Sequence, residues 1–224
     1  MNYLFVVSHP DDEILGAGAT IYDLSKNHNV HVILLNSKDT TKKPSKDLSG
    51  DIEASHRILG IKETSILNYQ DSEFHIASHR NMVEDTEKVI CKFKPDFIFT
   101  HHPNDINTDH CFASGACQVA ARAFQRKGGY THRLKGLFFM EVQSSTDWSF
   151  AQNNPFIPNY FVEISKEALD RKIEALKVYE NVIRPAPHPR SQENLRALPV
   201  LRGSQSGFLL AEAFQAVFIT KELE

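Results

Sequence analysis

The chain has 224 residues, of which 41% are hydrophobic and 24% charged, the composition of an ordinary folded domain. This length can bury a substantial core, so we predict one domain over residues 1–224. The formal net charge of -3 is not the basic excess typical of nucleic-acid-binding proteins. We therefore expect no nucleic-acid partner.

The three cysteines, Cys91, Cys111 and Cys117, are odd in number and lack zinc-finger spacing. We interpret Cys111 and Cys117 as small buried residues of a helix. Because no disulfide framework is evident, a reducing compartment is expected. No apolar run approaches the roughly 20 residues that cross a bilayer, and the N-terminus lacks a basic leader. The sequence thus predicts a cytoplasmic protein without a transmembrane segment. It leaves the oligomeric state open and allows a homo-oligomer.

Strand and helix patterns alternate along the chain. Short apolar runs predict strands at 3–7, 30–36, 64–69, 96–100, 137–142 and 160–164. Helical patterns cover 13–27, 49–59, 78–93, 111–123, 165–179 and a segment from Ser191 onward. Ser49 or Asp51, Ser165 and Ser191 are predicted N-caps, and Gly60 ends the second helix. The alternation predicts an α/β fold with a mostly parallel sheet and helices on both faces.

Three irregular segments, 37–48, 143–159 and 183–191, are the predicted sites of substrate specificity. The first is polar and follows a strand, so it is either a substrate-contacting loop or a solvated one. The prolines of 184–191 exclude a helix there. In the segment 211–218, the last residues have the composition of a strand, whereas the first residues do not indicate a particular secondary structure.

Two polar turns follow predicted strands about ninety residues apart and lead into helices. The first offers His9, Asp11, Asp12 and Glu13, and the second offers His101, His102, Asp105, Asp109 and His110. In a doubly wound sheet both turns open on the same edge, where ligands bind. Crowded carboxylates repel one another unless a cation or protons lie among them.

Zinc hydrolase sites use three ligands drawn from histidine and carboxylates, with a fourth position for water. A nearby carboxylate is still needed to take the proton of that water. Adjacent Asp11 and Asp12 cannot easily point the same way, so one can bind metal while the other faces the water. Spacing does not say which. Each turn alone is more often a simple turn with a helix cap than a metal site, but the pair at two strand ends favours a metal site.

The residues of both turns resemble a known family. Ser8-His9-Pro10-Asp11-Asp12-Glu13 is similar to the signature of the PIG-L/LmbE-like de-N-acetylases, and His102 to His110 is similar to the family's second motif. Arg202 to Gln205 and Ala211 to Phe214 also match patterns of its members. The resemblance spans nearly the whole chain and implies a Rossmann-like fold. It further implies a zinc-dependent hydrolase that removes acetyl groups from N-acetylglucosamine-type sugars.

The resemblance also implies roles for single residues. His9, Asp12 and His110 become ligands of zinc or another divalent metal, and Asp11 becomes the general base. Asp109 would steer a ligand or catalytic group by hydrogen bonding. Glu13 is expected to support the turn or the helix start, and Gly16 and Gly18 are expected to allow close packing of the helix on the sheet.

The sequence departs from the family pattern at Asn107, where many members have a histidine. An asparagine donates a hydrogen bond to an oxyanion but cannot act as an acid. We hypothesise that His188, in the proline-stiffened segment, supplies the acid, while Arg190 grips a polar or anionic part of the substrate. The alternative is a rigid surface connector with a solvated His188.

The leading hypothesis is amide hydrolysis of a small N-acetylated sugar or glycoconjugate, with Asp11 taking the proton of water. A metal-dependent esterase or deacylase would use the same site. A catalytically silent carbohydrate-binding protein of the same fold is the third hypothesis. Dinucleotide binding is excluded because no G-x-G-x-x-G follows the first strand.

Overall fold

The computed structural model describes residues 1–40, 44–150 and 154–221. Residues 41–43 and 151–153, which belong to two of the predicted loops, and 222–224 lie outside the described part. A seven-stranded sheet forms the centre of the fold, and helices cover both of its faces. The predicted α/β fold is confirmed.

The strands of the sheet are β1 (Asn2–Val7), β2 (Asn29–Leu34), β5 (Glu63–Ile66), β6 (Phe97–His101), β7 (Gly136–Met140), β8 (Tyr160–Glu163) and β9 (Ala211–Ile219). A separate hairpin consists of β3 (Lys38–Asp39) and β4 (Lys46–Asp47). The helices are α1 (Asp12–Ser25), α2 (Ser49–Leu59), α3 (His79–Phe93), α4 (Thr108–Ala120), α5 (Ala123–Arg126), α6 (Lys166–Leu176) and α7 (Gln192–Ser206).

The strands lie side by side in the order β5-β2-β1-β6-β7-β9-β8, and this order reverses beside β1. The chain builds outward from β1 to β2 and β5, and then returns to place β6 on the other side of β1, with parallel pairing throughout. β7 continues the parallel run, whereas β9 is antiparallel to both β7 and β8. The reversal leaves a crevice at the carboxyl ends of β1 and β6, the usual ligand position in such sheets.

Two apolar cores lie on opposite faces of the sheet, because successive side chains of a strand alternate. Phe5 and Val7 of β1 join the core under α1, α2 and α6. Leu4 and Val6 join the core under α3 and α4. The central strands are thus buried on both sides, which fixes their carboxyl ends firmly in the crevice.

Helix ends follow the predicted capping chemistry in part. The hydroxyls of Ser165 and Ser191 accept from the N–H groups of Ala168 and Asn194, and Gly60 ends α2 at φ 73°, as predicted. The predicted cap of α2 is wrong, since Leu48 occupies that position without a side-chain bond. This helix gains its stability from packing of its buried face rather than from a polar cap.

Other boundaries differ where long-range pairing decides them. The whole of Ala211–Ile219 is a strand, because it pairs with β7 on one side and β8 on the other. The polar loop 37–48 contains the β3–β4 hairpin. α6 ends at Leu176 rather than Tyr179. Beyond this end, the N–H of Tyr179 donates to the carbonyl of Leu176, three residues earlier, as in a turn. Among the described residues, no helix combines the length and the hydropathy that crossing a bilayer requires.

The helix α1 is interrupted close to its start. Ala17 has φ -152° and ψ 15°, which are not helical angles and mark a kink between two helical parts. Gly16 lies over the sheet, where a Cβ would be 3.0 Å from Cβ of Met140, and this confirms the predicted close packing. Gly18 instead faces α6, where a Cβ would be 3.0 Å from Cγ of Lys172. Gly18 was predicted to allow packing of the helix on the sheet, and this prediction is wrong because Gly18 packs against α6.

Candidate metal centre and active-site cleft

A cleft of about 560 Å³ lies at the crevice between β1 and β6. Both predicted turns contribute to its wall. Side chains from the three irregular segments surround the opening, among them Lys38, Lys46, Ser144, Ser145 and Arg190. The segment 37–48 thus lines the cleft, as its interpretation as a substrate-contacting loop requires.

The first turn separates two adjacent carboxylates through its backbone. Asp11 has φ 105° and ψ -25°, a left-handed conformation that costs a non-glycine residue on the order of 1–3 kcal/mol. Helix α1 begins at the next residue. As a result Asp11 Oδ2 faces Arg190 Nη1 at 3.2 Å, whereas Asp12 Oδ2 accepts from the N–H of His9 at 2.9 Å and faces buried imidazoles.

The second turn is shaped by side-chain hydrogen bonds. Asn107 Oδ1 caps α4 by accepting from the N–H of Asp109 at 2.9 Å. Asp105 Oδ1 accepts from the N–H of Asn107 at 2.9 Å. The two turns are joined directly, because the N–H of Ser8 donates to His101 Nε2 at 2.9 Å.

The three predicted metal ligands converge. His9, Asp12 and His110 each offer a ligand atom, and these atoms lie within 4.8 Å of one another. Asp12 Oδ2 is 3.2 Å from both His9 Nδ1 and His110 Nε2. Two imidazole nitrogens and one carboxylate oxygen form a donor set that zinc accepts. The described residues therefore fit a divalent metal at this point.

Each of the two candidate histidine ligands has its second nitrogen against carboxylates. His110 Nδ1 is 3.3 Å from Asp105 Oδ2, and His9 Nε2 is 3.1 Å from Asp71 Oδ1 and 3.3 Å from Asp109 Oδ2. Such partners fix the tautomer and orientation of a ligand histidine. Asp109 thus lies beside a candidate ligand, and its steering role stays a prediction.

Sequence analysis did not single out Asp71 as a site residue. It follows β5, the strand beyond β2, and its carboxylate accepts from the Thr40 hydroxyl as well as facing His9. With His9 and Asp109 it forms a second group of ligand atoms within 4.8 Å. The signal that could have found it is its position after a parallel strand, at the same edge as both turns.

The remaining acids and histidines of the turns contact protein groups. Glu13 is fully buried, and its Oε1 is 3.0 Å from His56 Nε2 on α2, so it ties the start of α1 to a neighbouring helix. The ring of His101 stacks on His110 at 3.8 Å. His102 turns away, with its ring edge-on to Phe139.

The structure places the two residues of the proline-rich segment differently. Arg190 reaches the cleft, where Nη1 pairs with Asp11 and Nε donates to Ser144 Oγ at 2.5 Å. His188 Nδ1 accepts from the N–H of Arg190 at 3.0 Å, and His188 is not among the described residues that line the cleft. The contacts of His188 thus hold the segment in shape.

The electrostatics of the two aspartates diverge. Burial raises the pKa of Asp11 well above its usual range, although Arg190 opposes the shift. Burial also acts on Asp12, but the imidazoles of His110 and His101 outweigh it and hold its pKa well below the usual range. Burial lowers the pKa of His110, and Asp12 and Asp105 raise it to about 9. Asp12 is therefore held ionised, the form that binds a cation, while Asp11 is the more basic carboxylate.

The three cysteines are free thiols. Cys117 is buried in the core under α4, as predicted, and burial raises its pKa to about 12. Cys111 is only partly buried, and its Sγ donates to the carbonyl of Asp105 at 3.2 Å. The prediction for Cys111 was wrong in its burial, because α4 turns this side toward the second turn rather than the core.

Comparison with known proteins gives a family match over the region that builds this site. The model of the PIG-L family, described as GlcNAc-PI de-N-acetylase, matches residues 4–121. This range contains both turns and every candidate metal ligand.

Individual relatives extend the match along the chain. A diacetylchitobiose deacetylase of Thermococcus kodakarensis is 25% identical over 226 residues, covering 96% of this chain and 82% of the relative. The crystal structure of a conserved protein from Thermus thermophilus has a TM-score of 0.76 at 24% identity, covering 98% and 96% of the two chains.

The same fold also carries other chemistry. The structure of GalB, a 4-carboxy-2-hydroxymuconate hydratase of Pseudomonas putida, has a TM-score of 0.74 at 20% identity and covers all of both chains. At this identity the likeness concerns the fold alone, so function has to be argued from the site.

Proposed function

The chain belongs to the PIG-L family of GlcNAc-PI de-N-acetylases, and from this premise we propose that it is a metal-dependent hydrolase. Its reaction is the removal of an N-acetyl group from an N-acetylglucosamine-type sugar or glycoconjugate. The observation that carries the proposal is the division between Asp12, held among imidazoles, and Asp11, which faces the open cleft beside them.

His9, Asp12 and His110 would hold zinc or another divalent ion. When bound, the ion acts as a Lewis acid that makes a water more acidic and stabilises negative charge on an acyl oxygen. Asp105 fixes His110, and Asp71 with Asp109 fixes His9, so the ligand set is rigid before any ion arrives.

Asp11 takes the proton of the attacking water in this proposal. Its buried position and raised pKa suit a general base, because a base with a pKa nearer neutrality accepts a proton more readily. Arg190 Nη1 lies 3.2 Å from Asp11 Oδ2 and holds this carboxylate in place. In this proposal Arg190 positions the base, whereas the contact with a polar or anionic part of the substrate hypothesised above stays a prediction.

Asn107 offers its amide NH2 to the substrate, since its Oδ1 is engaged in capping α4. The amide can donate to the developing oxyanion but cannot protonate the leaving amine. The proton that Asp11 has taken is then the one returned to the amine, which releases acetate and the free amino sugar. His188 has no part in this proposal.

The test combines acetate release with metal analysis. The protein loaded with zinc is given a panel of N-acetylated sugars and, separately, acyl esters. Release of acetate from the sugars supports the proposal, and release only from esters supports the esterase hypothesis. No turnover on either panel, with zinc bound, supports the catalytically silent sugar-binding protein.

A further inference from the structure

A second group of metal-binding atoms lies on the other side of the His9 ring from Asp12. Asp12 Oδ2 faces Nδ1 of His9, whereas Nε2 of His9 lies 3.1 Å from Asp71 Oδ1 and 3.3 Å from Asp109 Oδ2. The three atoms of this second group lie within 4.8 Å of one another, as those of the first group do. His9 thus belongs to both groups and contributes a different ring nitrogen to each.

Hydrogen bonding alone does not satisfy this second group. A neutral imidazole has one N–H, and a metal bound at Nδ1 leaves that N–H on Nε2. Ionised carboxylates only accept hydrogen bonds, so the oxygens of Asp71 and Asp109 compete for one proton. Two like charges that converge in this way repel each other. A divalent cation in the position of the proton would neutralise both carboxylates.

The spacing of the three atoms suits zinc. In a tetrahedral zinc site with bonds of about 2.0–2.2 Å, neighbouring ligand atoms are about 3.3–3.6 Å apart. The distances of 3.1 and 3.3 Å from His9 Nε2 are close to this range. Asp109 is already held in place, since its Oδ2 accepts from the N–H of Ser72 at 2.7 Å and its Oδ1 from the N–H of Phe74 at 3.3 Å. A carboxylate oxygen that accepts one hydrogen bond still has a lone pair for a metal.

The second group is accessible from the active-site cleft. His9, Asp71 and Ser72 all line this cleft, and the side chains of His9 and Asp71 are 19% and 16% exposed. An ion from solvent can therefore reach the three atoms. It can also keep a water ligand on its open side, as zinc sites with three protein ligands do.

We propose that His9 Nε2, Asp71 and Asp109 bind a second divalent ion, so that the imidazole of His9 bridges two metals. The inference rests on the proposed function in one respect, because the first ion is the one bound at Nδ1. The second ion takes the place of the Nε2 proton, which is released to solvent. It binds more weakly than the first, since it competes with that proton and has one nitrogen ligand rather than two. The protein thus has a one-ion form and a two-ion form, according to the supply of metal.

Zinc titration of the metal-free full chain against a competing chelator counts the ions. We expect two equivalents in the unmodified protein, one tight and one weaker. Asp71→Asn should keep the tight equivalent and weaken the second by more than the roughly 10- to 100-fold that loss of an outer partner costs, because a charged ligand is removed. A single equivalent in the unmodified protein would overturn the proposal.

Asp105→Asn is the matched control for this titration. It makes the same chemical change behind the other candidate histidine ligand, since Asp105 faces His110 Nδ1. It should therefore weaken the tight equivalent and keep the second. A second equivalent that persists unchanged in Asp71→Asn would show an adventitious ion only, and the proposed site would be wrong.

A measurement on the unmodified protein tests the bridge without relying on variants. Copper(II) binds imidazole and carries one unpaired electron, and two copper ions on one imidazolate couple antiferromagnetically. The electron paramagnetic resonance signal should therefore rise with the first equivalent of copper and fall with the second. A signal that doubles with the second equivalent would place this ion away from His9 and contradict the bridge.

Acetate release on the same zinc-loaded samples separates this inference from the proposed function. Two bound equivalents without acetate release from any N-acetylated sugar would leave the second site standing and the hydrolase assignment wrong. One bound equivalent with acetate release would leave the hydrolase assignment standing and the second site wrong. A protein that binds no zinc would contradict both.

Discussion

The two turns that form the candidate metal centre are built by different means. The turn after β1 places its carboxylates through the backbone, with Asp11 in the left-handed region and α1 starting at once. The turn after β6 is longer and uses side-chain hydrogen bonds, with Asp105 and Asn107 each accepting from a nearby N–H. The first turn thus has a strained backbone, whereas the second is held by side-chain hydrogen bonds.

The difference explains how the turns divide the chemistry. A strained backbone can aim neighbouring carboxylates in different directions, which gives one aspartate to the metal and one to the water. A turn held by side-chain hydrogen bonds fixes the orientation of one imidazole, which suits a ligand such as His110. Substitutions behind the first turn should therefore lower the stability of the fold, whereas substitution of Asp105 in the second turn should lower metal affinity.

The largest effect is expected from removing a ligand of either turn. Asp12→Ala and His110→Ala should lose bound zinc, and turnover should fall by roughly a thousandfold or more, because several kcal/mol of charge stabilisation are lost. Chelation of the unmodified protein should have the same effect and be reversed by zinc. Metal analysis beside acetate release checks this. Turnover that persists in a demonstrably metal-free sample would contradict the metal-dependent mechanism.

The next effect concerns the support behind the first turn. At the break in α1, Lys172 Nζ donates to the carbonyl of Leu15 at 2.8 Å and to Glu212 Oε1 at 2.7 Å, and Glu212 Oε2 accepts from the N–H of Thr20 at 2.7 Å. Both side chains of this ion pair are at most 5% exposed. Breaking a buried pair leaves a charge uncompensated, so Glu212→Gln should lower the free energy of unfolding by about 3 kcal/mol.

Chemical denaturation measures this change, and an exposed pair supplies the control. Arg57 and Glu53 pair on the surface with both side chains 74% exposed, so Glu53→Gln should cost less than about 1 kcal/mol. Similar costs for the two variants would show that the buried pair does not support the interrupted helix.

A smaller effect is expected from the carboxylates behind the ligand histidines. Asp105→Asn should weaken zinc affinity about 10- to 100-fold, because His110 Nδ1 loses its ionised partner. Asp71→Asn should weaken it less, since His9 Nε2 also faces Asp109. Zinc titration with a competing chelator ranks the variants. A larger loss of zinc affinity in Asp71→Asn than in Asp105→Asn would contradict this ranking.

The smallest effect is expected at Asn107, where two roles can be separated. Asn107→Ala should cost about 1 kcal/mol of stability, because α4 loses its cap. Asn107→Ser keeps a capping oxygen but removes the amide NH2, so it should keep stability and still lower turnover. Thermal unfolding and acetate release on both variants distinguish the roles. Full turnover in Asn107→Ser would remove the amide from the reaction.

Local sequence patterns predicted the regular part of the molecule. The apolar runs that form β1 and β6, and the serine caps of α6 and α7, depend on neighbouring residues, and they appear where expected. The two turns were predicted as well, since parallel strands bring their carboxyl ends to one edge.

The features that escaped prediction depend on distant partners. Glu212 makes the start of β9 look polar, but it is buried because Lys172 on α6 meets it. Arg190 pairs with Asp11 across 179 positions of sequence, and Asp71 meets His9 from a loop after β5. Local periodicity carries no information on such pairs, so it revealed neither the contact of Arg190 with Asp11 nor that of Asp71 with His9; only the position of Asp71 after a parallel strand pointed to the edge of both turns.

The central claim is that the first turn separates a metal ligand from a general base at adjacent positions. The most direct measurement determines bound zinc and acetate release on the same samples of Asp11→Asn and Asp12→Asn. Asparagine tolerates the left-handed conformation of Asp11, so the turn should persist in Asp11→Asn. We expect Asp11→Asn to keep its zinc and lose most turnover, and Asp12→Asn to lose both. Full turnover of Asp11→Asn at saturating zinc, or loss of zinc from both variants alike, would contradict the claim.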